Sequence, residues 1–205
     1  MPTSDLVIIG MGGHAEVILE IALQNNLSVL GFLDDDIHKK DLFGYSRIGA
    51  VCDCLQFRDT AQFIVAIGDN QIRESIMQEY DDLQFATLIA PSAQVSRFAK
   101  INSGTVVMAN ATINSNTTIG RGCIINSGAI VEHDSFIHDF VHIAPNATLC
   151  GAVCVGKNTL IGAGSTVKNN TSICDNVIVG VQSAIVKDIT VPGIYMGIPA
   201  KRSRS

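Results

Sequence analysis

Three consecutive residues, Glu132-His133-Asp134, place an imidazole between two carboxylates. The triplet suits general-base work. A carboxylate bonded to one ring nitrogen fixes the tautomer and raises the basicity of the other nitrogen. Those flanks set His133 apart from His14, His38, His138 and His142. A second candidate lies near the start, in Gly10-Met11-Gly12-Gly13-His14-Ala15. This G-x-G-x-x-A turn lets backbone approach a phosphate at a helix N-terminus. A plain tight turn and a dinucleotide site with a later acidic residue are the alternatives. None of the six cysteines forms a Cys-x-x-Cys pair, and no cluster has metal-ligand spacing, so no metal is expected.

The elements around the glycines read as a small α/β unit. Leu6 to Ile9 is an apolar run that stops at the turn, and a helical stretch follows from Ala15 to Leu23. Val29 to Leu33 is a second strand, ending in Asp34-Asp35-Asp36. A third, Phe63 to Ile67, leads through Gly68-Asp69-Asn70 into a helix from about Gln71 to Tyr80. Residues 1–88 are therefore expected to form a Rossmann-like βαβαβ domain, short for a full dinucleotide fold and better suited to a mononucleotide-sized ligand.

The triplet sits in a different kind of sequence. Every sixth residue from Ile89 to Ile185 is aliphatic, without an insertion. The fourth residue after each is usually small, as in Ala93, Ala99, Thr105 and Ala111. A period of six fits neither a helix nor a lone strand pair, but it fits a parallel β-helix over residues 89–190. The aliphatic residue points inward and the small one occupies the corner. Residues 191–205 form a tail, whose last five, Lys201-Arg202-Ser203-Arg204-Ser205, suit either one phosphorylated ligand or plain solvation.

The chain of 205 residues carries a net charge of -5, which argues against a nucleic-acid partner. No apolar run reaches bilayer length and residues 1–6 lack a signal-peptide pattern, so a cytoplasmic protein is expected.

The repeat resembles that of the left-handed β-helix acyltransferases, which acetylate serine, maltose or UDP-linked glucosamine. Three hexapeptides make one coil of 18 residues in that family. The left-handed sense comes from the resemblance, since the rule for parallel crossovers gives the opposite hand. With 18 residues per coil, Gly151 sits directly above His133, leaving room for a thioester. The outward column Val106, Ile124, His142, Leu160, Ile178 is apolar but for His142. Such a stripe reads as a subunit contact, with His142 at a subunit boundary.

Gly-x-Gly-Gly-His, Phe-Leu-Asp-Asp and Ile-Gly-Asp-Asn, followed by this repeat, narrow the likeness over nearly the whole chain. The combination resembles the sialic acid O-acetyltransferases and the bacillosamine and perosamine N-acetyltransferases. Ile125-Asn126-Ser127, Val131-Glu132-His133-Asp134 and Gly197-Ile198-Pro199-Ala200-Lys201-Arg202 echo the UDP-4-amino-sugar branch most closely. That resemblance implies a trimer with active sites between subunits, using acetyl-CoA as co-substrate. It implies His133 as base, Asp134 as its orienter and Gly151 as oxyanion donor. It places His142, Gly151, Ile161, Gly197, Pro199 and Lys201 against acetyl-CoA. It places Gly12, Gly13, His14, Asp34, Asp35 and Asn126 against the nucleotide-linked amino sugar. Asn126 reads equally well as a turn residue. O-acetylation of a sugar and a silent β-helix scaffold are the competing functions.

Overall fold

The protein is described by a computed structural model that covers residues 5–203. It opens with a strand, β1 (Asp5–Ile9), and a helix, α1 (Gly13–Gln24). Ala15, Ile18, Leu19 and Ala22 recur at helical spacing on α1 and are buried against the sheet. Strand β2 (Val29–Leu33) follows, then a hairpin of β3 (Asp41–Leu42) and β4 (Tyr45–Gly49). A 3₁₀ turn, Val51–Phe57, leads to β5 (Ala61–Val65). The helix α2 (Asn70–Glu79) is capped by the Asp69 carboxylate, which accepts from the N–H groups of Gln71 and Ile72. The sheet order is β3-β4-β2-β1-β5, parallel except at the hairpin edge. The hairpin and the 3₁₀ turn were not legible in the sequence. Tyr45-Ser46-Arg47-Ile48-Gly49 lacks the apolar alternation that marks a half-buried strand.

The rest of the described chain winds as a parallel β-helix of two-residue strands. Each strand pairs with the one 18 residues on, as in Thr118 with Phe136 and His142 with Leu160. Three flat faces result. The first carries Val106, Ile124, His142, Leu160 and Ile178; the second carries Thr112, Ile130 and Thr148; the third carries Thr118, Phe136 and Cys154. The six-residue series of aliphatics fills the interior as one continuous core. The antiparallel pair Gly193–Gly197 and Ala200–Arg202 extends the first face beyond Val177–Val179.

Two further regularities hold the coils. Every sixth residue from Gly104 to Gln182 has a positive φ. Asn and Gly dominate that series because they tolerate the left-handed region best. Inside the corners, buried hydroxyls replace lost backbone bonds. Thr105 Oγ1 donates to the Gly120 carbonyl at 2.8 Å and accepts from the Cys123 N–H at 3.0 Å. Thr159 and Ser165 repeat the pattern further up.

The outward stripe departs from its expected role as a subunit contact. Val106 and Ile124 are only 2% and 1% exposed, because α1 and β1 of the same chain cover them. The α/β domain sits on the first face, so half of the stripe is an internal seam. Ile178, at 45% exposed, remains open above it.

Candidate functional site

The corner between the second and third faces carries His133. Asp134, the next residue, adopts a left-handed turn with φ 60°, and its Oδ2 stands 2.7 Å from His133 Nδ1. Its Oδ1 accepts from Asn116 Nδ2 at 2.6 Å, one coil below. The side chain short by one methylene therefore reaches the imidazole, and Asn116 holds it there. Glu132 turns the other way and accepts from Asn114 at 2.7 Å. The bond to Asp134 raises the His133 pKa above the ordinary value, although the ring is exposed. Asn116 first, and His133 second, hold the Asp134 carboxyl below the usual carboxylate range. With Asp134 on Nδ1, the lone pair available for a proton is on Nε2.

Gly151 lies one coil above. A methyl group there would stand 2.9 Å from His133 Nε2 and 2.8 Å from Cε1, so only glycine keeps the ring face clear. The coil leaves the N–H at this turn position without a backbone partner. Arg121 and Lys157, at the same position on another corner, give theirs to Asp139 and Asp175 carboxylates, both at 2.8 Å. Among the described residues the Gly151 N–H has no such acceptor. An unpaired donor beside an imidazole can hold a developing oxyanion.

A second group of residues gathers where the α/β domain meets the first face. A cavity of about 360 Å³ is lined by Gly12, Gly13, His14, Asp34, Lys39 and Gly68, among others. Gly10 serves the fold, since its φ of 103° and the Ala66 carbonyl 3.1 Å from a would-be Cβ exclude other residues. Gly12 and Gly13 instead border open space. Asp34 Oδ2 accepts from the Met11 N–H at 2.7 Å and pairs with Lys39 at 3.0 Å. Partial burial pushes its pKa up, but the Asp36 N–H, Lys39 and the Met11 N–H outweigh it and hold it low. Asp35 is engaged elsewhere: its Oδ1 accepts from the Val51 N–H at 2.9 Å, fixing the 3₁₀ turn. Lys39 is the cation of this cavity, and sequence reasoning missed it; its place five residues after Asp34 was the available signal.

His142 sits at this seam with Asn126. The Asn126 oxygen accepts from the Ser127 N–H at 2.8 Å, so its amide nitrogen faces His142 Nε2 at 3.0 Å. His142 Nε2 must then accept, which requires a neutral ring with its proton on Nδ1. Burial first, then the Arg73 charge and His14, lower the His142 pKa to about 4, against a bond to the Gly68 backbone. His14 is likewise pushed down to about 4 by burial and by Arg73, and its Nε2 is buried without a partner.

The remaining sequence candidates separate. Ile161 is wholly buried inside the coil, so its side chain cannot touch a ligand; the expected contact with acetyl-CoA fails because inward and outward residues alternate. Gly197, Pro199 and Lys201 lie in the terminal hairpin, where Pro199 and Lys201 border a cleft of about 420 Å³. Arg204 and Ser205 lie outside the described residues. His133 itself stands at the corner opposite the first face, away from the His14–His142 seam of its own chain.

Comparison with known proteins places this geometry. Residues 5–80 match the PglD N-terminal domain family, and residues 98–133 and 134–169 match the bacterial transferase hexapeptide (six repeats) family. A histidine mutant of perosamine N-acetyltransferase from Caulobacter crescentus, solved with CoA and GDP-perosamine, is 32% identical. It aligns over 98% of this chain and 97% of its own, with TM-score 0.94. This chain belongs to the hexapeptide-repeat N-acetyltransferases with a PglD-type N-terminal domain. The acetyltransferase domain of PglB from Neisseria gonorrhoeae, solved with acetyl coenzyme A, is another relative at 33% identity. There the alignment covers 98% of this chain and 100% of that one, with TM-score 0.94. UDP-N-acetylbacillosamine N-acetyltransferase from Bacillus subtilis is 37% identical over 115 residues, 51% of each chain. The chain spans about half or less of the curated relatives it matches. Among the described residues no helix is long and apolar enough to cross a membrane, and no group of three His, Cys, Asp or Glu could hold a metal ion.

Proposed function

We propose that the protein transfers the acetyl group of acetyl-CoA to the 4-amino group of a nucleotide-linked 4-amino-4,6-dideoxy sugar. The carrying observation is the corner where Asp134 pins His133 Nδ1 and Gly151 keeps Nε2 clear beside an unpaired N–H. In this reading His133 Nε2 takes the proton from the attacking amine, Asp134 stabilises the imidazolium, and the Gly151 N–H receives the oxyanion. The tetrahedral intermediate then collapses, the C–S bond breaks and CoA leaves as the thiol. Gly12, Gly13, His14 and Asp34 hold the sugar nucleotide, with Lys39 supplying the cation for its phosphates. Asn126 and His142 meet the sugar and the acetyl-CoA arm, and Gly197, Pro199 and Lys201 lie along CoA.

The reading needs two chains. His133 and the nucleotide cavity occupy opposite sides of one prism. In a homotrimer, a neighbour's His133 corner comes against the open part of the first face, near Leu160 and Ile178.

UDP- and GDP-linked 4-amino sugars, assayed by CoA thiol release, test the activity directly. His133→Ala is expected to lower kcat by about 10²–10⁴-fold, the usual worth of a general base, with the fold unchanged. Unchanged turnover in that variant removes His133 as the base. Absence of turnover by the wild type on every such sugar removes the reading itself.

A further inference from the structure

Arg73 lies on α2 and is 1% exposed, yet no carboxylate among the described residues pairs with it. Neutral acceptors surround it instead. Nε donates to the Gly122 carbonyl at 2.7 Å and Nη2 to the Phe140 carbonyl at 3.2 Å. Nη2 also donates to Asn70 Oδ1 at 2.8 Å. Nη1 reaches the carbonyls of Ile67 at 2.9 Å, and of Gly68 and Asp69 at 3.3 Å. Asn70 in turn donates to the Asn158 carbonyl at 3.2 Å.

Gly122, Phe140 and Asn158 are 18 residues apart and form one vertical column, all with positive φ. Arg73 and Asn70 therefore bind three successive coils of the β-helix through backbone. Arg121 Nη2 completes the seam by donating to the Met77 carbonyl at 2.8 Å. The loop that Arg73 grips from its other side, Ile67 to Asp69, borders the cavity with Gly12 and His14, and Gly68 meets His142. Leaving a buried cation among dipoles alone is costly, and an apolar side chain would hold two domains together more cheaply. A fork of five donors in a fixed plane does something else: it sets distance and angle.

We propose that Arg73 is a positioning residue, locking the Ile67–Asp69 loop to the Gly122–Phe140–Asn158 column and so fixing where the sugar nucleotide stands relative to the β-helix and to His142. This rests on the acetyl-transfer reading for its kinetic consequence, but not for its effect on His142. Two groups carrying or able to carry charge face His142 across the seam, His14 from α1 and Arg73 from α2. Removing Arg73 loosens Gly68 and removes the cation that opposes a proton on His142.

Arg73→Met and Arg73→Lys test the proposal in the full-length protein. With the sugar nucleotide that the wild type turns over, Arg73→Met is expected to lower kcat about 100-fold, since misplacement by an ångström costs about that much. The KM for the sugar nucleotide is expected to stay within about threefold, because its contacts lie within the α/β domain. Arg73→Lys keeps the charge but not the fork, and is expected to recover about tenfold of that loss. A merely structural arginine would lower the melting temperature and leave kcat of the folded variant unchanged. A kcat within twofold of wild type in either folded variant overturns the proposal. If Arg73→Met does not fold, Arg73→Lys alone decides. Nitrogen NMR of the His142 ring is the second arm and needs no substrate. Its shifts are expected to change in both variants, and in Arg73→Met its titration moves up toward 6.5. Unchanged shifts overturn the proposal even if the wild type acetylates no sugar, an outcome that would count against the acetyl-transfer reading only.

Discussion

At the scale of single residues, the site depends on Asp134 holding one nitrogen so that the other can work. The base must be deprotonated to act, and Asp134 raises its pKa. Activity therefore rises with pH through a value above 6.5. Asp134→Asn removes the bond that causes the shift, so the acid limb of the kcat/KM profile is expected to move to lower pH. The maximal rate is expected to fall about 10–100-fold, because an amide can also select the wrong tautomer. A limb that stays in place shows that Asp134 does not govern His133. The pairing of His133 with Gly151 was legible from the 18-residue spacing, since stacking follows from the repeat alone. Arg73 was not legible. A single arginine in a helix gives no hint of burial, and its partners are carbonyls, which have no residue identity.

At the scale of elements, the repeat was readable because each hexapeptide obeys the same local rule: aliphatic in, small at the corner, Gly or Asn in the left-handed turn. The α/β domain was readable in β1, α1, β2 and α2, whose apolar spacing reports burial. What covers the outward stripe was not readable, because α1 and a neighbouring chain present the same apolar chemistry. That seam buries two neutral histidines, His14 and His142, each with a pKa of about 4. Unfolded, both would titrate at about 6.5. Between those values the unfolded chain binds more protons than the folded one, so stability falls as pH drops from 6.5 toward 4 and is intact above 6.5. Chemical denaturation at a series of pH values is expected to show the midpoint declining below pH 6.5, with a slope approaching two protons near pH 5. Replacing His142 by Asn is expected to remove about one of those protons. A slope unchanged by that substitution contradicts a neutral His142 in the seam.

At the scale of the whole molecule, the chain separates what its chemistry must bring together. The nucleotide cavity lies on the first face and the base on the far corner, so a monomer holds two half-sites. That division explains why the upper part of the apolar stripe, ending at Ile178, stays open although the lower part is covered. The most direct measurement is complementation. His133→Ala, which lacks the base, and Gly13→Trp, which fills the nucleotide cavity, are each inactive alone and are co-expressed as mixed trimers. If each site takes its base from one chain and its cavity from the next, random mixing restores about one quarter of wild-type turnover. Turnover no higher than that of the two parent variants would show that each chain works with its own histidine, and would contradict the shared site.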